Sequence, residues 1–195
     1  MFIYLNNRAL LKISGNDAES FLQSQLSNDI LKLDTSSIQL SAYCQHQGKI
    51  LSLFWVMRQE EGFYLSFPKD VLDLIKSRLQ MFVMMSDVNI ENISDSYCQI
   101  GVIDETAPNA FRINKKLSVL IESKNYHSDS INYENFHWTK ACIDSFLPEV
   151  VLSTSEKFVP QMLNLDIDEL GVNFSKGCYP GQEVVARLHY LGSAK

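Results

Sequence analysis

The chain has 195 residues, of which 46% are hydrophobic and 21% are charged, and its formal net charge is −6. These values are typical of an ordinary globular protein that is long enough to bury a core as one large domain or two small ones. Because nucleic acids are bound mainly by neutralising their phosphates, the acidity argues against a large basic face for direct RNA binding.

The cysteines and histidines show no spacing that is typical of a metal site. The cysteines are widely separated and lack a C-x-x-C pair, so we expect reduced thiols, no disulfide framework and no metal. They are Cys44, Cys98, Cys142 and Cys178, and the histidines are His46, His127, His137 and His189. The N-terminus lacks a basic region followed by a long apolar segment, and no apolar run approaches the roughly 20 residues that span a bilayer. The sequence therefore predicts a cytoplasmic protein without a membrane partner.

Hydrophobic periodicity predicts short strands and single helices along the first half of the chain. The predicted strands are Phe2 to Leu5, Ala9 to Ile13, Ile38 to Cys44, Ile50 to Met57 and Phe63 to Phe67, then alternating segments around Val88 to Ile93 and Ile100 to Ile103. The capping-box spacing of Asn16 and Glu19 predicts a first helix of about three turns that Asn28 and Asp29 close. A second helix is expected from Asp70. Without a regular βα repeat, this order indicates an α+β fold with mixed or antiparallel sheets and packed helices.

The middle of the chain, from about Asp104 to Asn135, is more polar and contains one predicted strand, Leu117 to Ile121, before a loop from Ser123 to Asn132. One body over residues 1–195 is the simplest organisation. A division into two lobes, at about 1–103 and 104–195, is the alternative, although no Gly/Ser-rich or Pro-rich linker marks it.

The most informative segment is Lys176-Gly177-Cys178-Tyr179-Pro180-Gly181-Gln182-Glu183. Its two glycines and proline predict a tight, irregular loop that a ligand can approach closely, after a turn and short strand at Gly171 to Phe174. A helix from Gln182 to Leu188 should follow, with Val184, Val185 and Leu188 buried. A nearby helix N-terminus and Lys176 would both favour the thiolate of Cys178.

Each of these residues also has a purely structural interpretation. Cys178 can be a small apolar residue packed in a turn, and Tyr179 and Gln182 can bond to carbonyl groups of their own loop. Glu183 suits the first turn of any helix, and Arg187 can pair with it four residues later.

The loop, continued by Val185-Ala186-Arg187, resembles the signature of the YgfZ-type folate-binding proteins, which are relatives of the glycine cleavage T-protein. Phe158, Pro160-Gln161 and Asn164-Leu165-Asp166 are similar to a second family motif. Residues 21–29 and the segments Ala42 to Cys44 and Gly48 to Ile50 also resemble the family, so that the resemblance covers nearly the whole chain.

The resemblance implies an α+β body with a cleft in which the cysteine loop lies beside tetrahydrofolate or a derivative. It also implies an accessory factor for iron–sulfur cluster assembly or repair, and thereby for tRNA methylthiolation. Its partners would be iron–sulfur proteins or assembly factors, with tRNA involved only indirectly. The functional residues carried over are Cys178 as the functional thiol, with Lys176, Tyr179, Gly181, Gln182, Glu183 and Arg187. The implied cofactor contacts are Trp138, Asp144, Gln161, Asn164 and Arg8, which stands where the family has a tryptophan.

The chain departs from the family in two further places. Phe146 replaces a family glycine, and the chain stops at Lys195, so the family's C-terminal β-barrel is expected to be absent. Trp138 can equally be a core aromatic residue, and Asp144 a carboxylate on a helix surface.

Two other functions remain open from the sequence. A tetrahydrofolate-dependent aminomethyltransferase of the glycine cleavage type would need an acid or base at the folate nitrogen, for which Asp144 is the candidate. Alternatively, Cys178 could ligate an iron–sulfur cluster shared with a partner, since one cysteine cannot supply the usual four thiolates.

Overall fold

Two five-stranded sheets form the framework of the computed structural model, which describes residues 1–84, 86–126 and 130–192. The strands are β1 (Phe2–Tyr4), β2 (Arg8–Ser14), β3 (Ile38–Cys44), β4 (Ile50–Gln59), β5 (Gly62–Pro68), β6 (Asn89–Asn92), β7 (Tyr97–Ile103), β8 (Phe111–Arg112), β9 (Leu117–Ser123) and β10 (Ile131–Asn132). The helices are α1 (Ala18–Gln25), α2 (Leu72–Gln80), α3 (Phe136–Asp144) and α4 (Gln182–Leu191). The predicted α+β class is confirmed.

Sheet A has the strand order β10-β1-β7-β9-β8 and sheet B the order β3-β4-β5-β2-β6. Every neighbouring pair is antiparallel except β1 and β10, which run parallel with Phe2 opposite Ile131. The two strands predicted at Phe2 to Leu5 and Ala9 to Ile13 lie in different sheets, with β1 in sheet A and β2 in sheet B.

Sheet B is buried on both faces, which explains the nearly continuous apolar run of β4. One face packs under α1 and α2, where Leu11, Phe54 and Ile75 belong to the same core cluster. The opposite face packs against sheet A, α3 and the C-terminal segment in a second cluster, whose main members are Leu40, Cys44, Trp55, Val119, Trp138, Leu165, Tyr179 and Val185. The C-terminal segment is thereby part of the core.

The boundary between the two lobes suggested at residues 103 and 104 does not follow the sheets. Sheet A joins β1 and β7, from before that boundary, with β8, β9 and β10, from after it. Hydrogen bonding between β7 and β9 runs from Tyr97 opposite Ser123 to Ile103 opposite Leu117. Strands that are far apart in the sequence pair across this polar region, so its composition alone does not mark a boundary between lobes.

Helix α1 is shorter than predicted, since it ends at Gln25 and Leu26 forms an isolated β-bridge with Tyr43. The capping box is wrong as well: the N-cap residue is Asp17, and the Asn16 side chain instead donates a hydrogen bond to Asp87. The helix expected from Asp70 is confirmed as α2, which follows a 3-10 turn at Lys69–Val71.

The short strand predicted at Gly171 to Phe174 is a loop in the structure. Its backbone bonds to other segments instead, with the Asn173 N–H donating to the carbonyl of Ser27 at 3.0 Å. Part of the predicted loop at Ser123 to Asn132, including His127, lies outside the described residues.

Candidate functional site

The cysteine loop presents one thiol to solvent between two buried side chains. Cys178 is exposed, whereas Lys176 and Tyr179 on either side of it are buried. The other cysteines are less accessible: Cys44 and Cys98 are buried and Cys142 is half-buried. The interpretation of Cys178 as a packed apolar residue is therefore wrong for its side chain.

Lys176 attaches the start of the loop to the C-terminal end of α1. Its Nζ donates hydrogen bonds to the carbonyl oxygens of Gln23 and Leu26, both at 2.5 Å, where the helix leaves carbonyls unsatisfied and partly negative. Burial lowers the pKa of Lys176 to about 8, while Coulombic interactions with Asp29 and Cys178 oppose that shift. The ammonium group thus has a structural role, and its predicted effect on Cys178 stays a prediction.

Tyr179 holds the other side of the loop in the core. Its ring packs in the cluster that contains Cys44, and burial raises the pKa of its hydroxyl. That hydroxyl has no hydrogen-bond partner among the described residues. The expected hydrogen bond from Tyr179 to carbonyls of its own loop is therefore not formed.

Gly181 is required for contact between the loop and the turn that joins β3 to β4. It has a left-handed φ of +83°, and a β-carbon there would lie 2.5 Å from the carbonyl oxygen of Gln45 and 2.8 Å from Cα of Gly48. The close approach expected here is therefore to the protein's own backbone. Around Gly177, by contrast, no described atom lies within 4 Å of the corresponding position, so this side of the loop is open.

Helix α4 begins at Gln182, four residues after Cys178, and its N-terminal Gln182 N–H donates to the Tyr179 carbonyl at 3.2 Å. Val185 is buried, and Val184 and Leu188 are half-buried, which largely matches the predicted face. Glu183 and Arg187 are both exposed.

The predicted helix-supporting ion pair between Glu183 and Arg187 is not formed in the part of the chain that the structure describes. Gln161 fixes α4 from the other side, since its Nε2 donates to the Val185 carbonyl at 2.8 Å. Gln161 therefore lies near the cysteine loop as a support for its helix.

Arg8 and Trp138, two of the predicted folate contacts, meet around Trp55. The Arg8 guanidinium lies 3.5 Å from the centre of the Trp55 ring and bonds to Ser66 and Glu149; burial lowers its pKa to about 10. Trp138 is only 6% exposed and packs edge-on against Trp55, with ring centres 6.0 Å apart. Both residues are therefore packed within the protein.

Asp144 and Asn164, the other predicted contacts, lie on separate surfaces. Asp144 is exposed, accepts a hydrogen bond from Lys140 at 2.5 Å, and lines a cavity of about 540 Å³ beside Met1 and His137. Asn164 is exposed at the end of a 3-10 turn and lines a different, apolar groove. The predicted cofactor contacts therefore do not converge on one cavity.

A further cavity, of about 370 Å³, lies where sheet B meets the C-terminal segment. Its lining residues include Trp55, Gln39, Asn28, Lys32, Asp168 and Glu169. The Gln39 Oε1 atom is buried without a hydrogen-bond partner among the described residues, although its Nε2 donates to Asp29. Sequence reasoning missed this cavity because its residues come from distant segments; Trp55, the tryptophan that the sequence analysis did not consider, was the available signal.

Within residues 1–84, 86–126 and 130–192, no group of three or more His, Cys, Asp or Glu side chains is arranged to hold a metal ion. In the same ranges, no helix is both long and apolar enough to cross a membrane.

Comparison with known proteins places this architecture in a family. Residues 5–143 match the model of the GCVT N-terminal domain. The chain belongs to that family. It is 34% identical to an uncharacterized protein of Haemophilus influenzae, in an alignment that covers 100% of this chain and 70% of the relative.

The chain is also 25% identical to the tRNA-modifying protein YgfZ of Vibrio vulnificus, over 98% of this chain and 66% of the relative. The predicted kinship with YgfZ-type proteins is confirmed. The chain thus spans about two thirds of the length of these relatives. Among solved structures, it is similar to the glycine cleavage system aminomethyltransferase T of Bartonella henselae, with a TM-score of 0.47 and 16% identity over 51% of this chain and 27% of that one.

Proposed function

We propose that this chain is a YgfZ-type accessory factor that supports iron–sulfur proteins, and through them the methylthiolation of tRNA. Its partners are iron–sulfur enzymes or assembly factors, and Cys178 is the functional thiol. The net charge of −6 agrees with an indirect relation to tRNA, because direct binding would need a cluster of basic side chains.

The observation that carries the proposal is the exposure of Cys178 on a loop whose other contacts are fixed. Lys176 is bonded to α1, Tyr179 is in the core and Gly181 is packed on Gly48, so the backbone on both sides of the thiol is held. An exposed thiol on a rigid backbone can approach a partner's cluster or thiols without first unfolding the loop.

Tetrahydrofolate or a derivative is the proposed ligand, and the 370 Å³ cavity fits its pterin ring better than the surface around Asp144. A pterin ring presents N–H donors, and the Asp168 carboxylate, which forms no ion pair among the described residues, can accept them; Gln39 adds a buried, unpaired amide oxygen beside the cavity. Trp55 supplies an apolar aromatic wall, as ligand cavities usually have. Trp138 supports this wall from behind and does not itself line the cavity.

The cysteine is tested by complementation of cells that lack the corresponding gene. Cys178→Ala should fail to restore the activity of iron–sulfur enzymes, whereas Cys142→Ala, which changes a half-buried cysteine outside the loop, should restore it. Both variants must accumulate to the wild-type level. Restoration by Cys178→Ala would sink the assignment.

The ligand is tested separately by titration of the purified chain with tetrahydrofolate and 5-formyltetrahydrofolate, followed by tryptophan fluorescence. Gln39→Leu should weaken binding more than Asp144→Asn, because Gln39 lines the proposed cavity and Asp144 does not. The reverse order would place the ligand at Asp144. Folate-dependent one-carbon release by the same sample would instead identify an aminomethyltransferase.

A further inference from the structure

An apolar groove of about 670 Å³ lies on the surface between the end of α3 and the 3-10 turns of the C-terminal segment. Several of its large apolar side chains are exposed to solvent, and together they form one apolar surface. Its lining residues are Ile143, Phe146, Leu147, Pro148, Met162, Leu163, Asn164, Ile167, Asp168 and Leu170. We call this surface the apolar groove.

Phe146 is the most exposed side chain of the apolar groove, at 83%, and its backbone is strained. Its φ is +54°, a left-handed conformation that is uncommon for a bulky residue. The position is the C′ residue of α3, where the N–H groups of Phe146 and Leu147 close the helix on the carbonyls of Ile143 and Cys142, both at 3.0 Å. Glycine usually occupies such a position, so Phe146 holds an exposed aromatic ring on a strained backbone.

The charge of the apolar groove is negative. Asp168 is its one charged lining residue, and it forms no ion pair within the described ranges. Of the nearby carboxylates, Asp166 contacts His189 and Glu169 contacts Lys32 and Asn173, so Asp168 supplies the local negative charge, and the chain as a whole carries −6. A bound segment with basic side chains would therefore be favoured by the local and the overall field.

The elements that border the apolar groove indicate the shape of its occupant. An extended peptide usually adds to the free edge of a sheet, but this groove is bordered by a helix end and 3-10 turns. An amphipathic helix needs only an apolar groove for its side chains at one face. We propose that the apolar groove binds an amphipathic helix of a partner protein, with apolar side chains against Phe146 and Met162 and basic side chains facing Asp168.

This interaction goes beyond the proposed function and does not depend on the role of Cys178. The apolar groove shares Leu147, Asp168 and Leu170 with the 370 Å³ cavity. A helix seated in the groove would therefore also contact the rim of that cavity.

The probe for this proposal is a fluorescein-labelled peptide of about 18 residues, with leucines on one helical face and lysines on the other. Binding to the purified chain is measured by fluorescence anisotropy. Phe146→Gly should weaken binding by about tenfold or more, since exposed aromatic anchors dominate such interfaces. Glycine suits the left-handed backbone, so this variant should stay folded. Asp168→Asn should weaken binding by about threefold at low salt, and the difference should disappear at high salt.

Met84→Ala is the matched control, because Met84 is an equally exposed apolar residue outside the apolar groove, and its binding should equal that of the wild type. Equal affinity of Phe146→Gly and wild type would overturn the proposal. So would equal binding of a peptide in which glutamates replace the lysines. A wild-type dimer that Phe146→Gly converts to a monomer in gel filtration would identify a second copy of this chain as the occupant instead.

Discussion

Replacing Gly181 by alanine tests whether the cysteine loop is held by its contact with the turn between β3 and β4. The added β-carbon would lie 2.5 Å from the Gln45 carbonyl oxygen and 2.8 Å from both Cα and N of Gly48. These are backbone atoms, so no change of rotamer can relieve the overlap. The left-handed φ costs alanine about 1–2 kcal/mol and the overpacking about 1–3 kcal/mol more. Gly181→Ala should therefore lower the free energy of unfolding by about 2–5 kcal/mol.

The assay is urea unfolding followed by the fluorescence of the two buried tryptophans, Trp55 and Trp138. Gly177→Ala is the matched control in the same loop, because no described atom lies within 4 Å of its β-carbon position. It should change the free energy of unfolding by less than about 0.5 kcal/mol. Equal stability losses for the two variants, or a loss below about 0.5 kcal/mol for Gly181→Ala, would refute the packing role of Gly181.

Three further predictions concern titration, reactivity and strain. The pKa of Lys176 is about 8 in the fold and about 10.5 when unfolded, so the unfolded chain binds the proton more strongly between these values. The free energy of unfolding should thus rise more steeply from pH 8 to 10 in the wild type than in Lys176→Met, and parallel pH profiles would contradict this. At pH 8, iodoacetamide should alkylate the exposed Cys178 before the other cysteines, because burial raises the pKa of Cys44 to about 12 and the pKa of Cys142 to about 11. The order of labelling is measured by mass spectrometry. Rapid labelling of Cys44 would be inconsistent with the structure. Phe146→Gly should raise the free energy of unfolding by about 1 kcal/mol through relief of its left-handed strain, and a destabilised variant in urea unfolding would argue against that strain.

Local patterns predicted most of the secondary structure, because strands such as β3 and β4 bury nearly all of their side chains and appear as apolar runs. The sequence did not reveal which strands pair. β1 joins β7 and β10 across about half of the chain or more, and no local signal encodes such a partner. For the same reason, the alternative boundary near residue 103 could not be derived from local composition.

The sequence predicted the cysteine loop as an irregular segment before a helix, but it did not predict which atoms its residues contact. Gly181 was expected to make room for a ligand, and it makes room for Gln45 and Gly48 of the protein itself. Lys176 was expected to favour the thiolate of Cys178, whereas its two hydrogen bonds go to carbonyl oxygens at the C-terminal end of α1. Both contacts join segments far apart in the chain, so only the fold brings them together.

The predicted cofactor contacts failed to meet in one cavity for a related reason. Trp138 and Asp144 lie on the same helix, but the first is packed on Trp55 and the second is exposed beside Lys140. The glycine position that Phe146 occupies is explained by the left-handed end of α3, which any residue there must adopt. The family glycine thus reflects a backbone requirement, which Phe146 meets in a strained conformation.

The central claim is that Cys178 is the functional thiol, and its most direct test is the level of methylthiolated nucleosides in tRNA. Cells that lack the corresponding gene are supplied with wild type, Cys178→Ser or Cys142→Ser at equal protein abundance, and the nucleosides are quantified by mass spectrometry. Cys178→Ser should give the level of the cells without the gene, and Cys142→Ser should give the wild-type level. Wild-type methylthiolation in the cells with Cys178→Ser would contradict the claim.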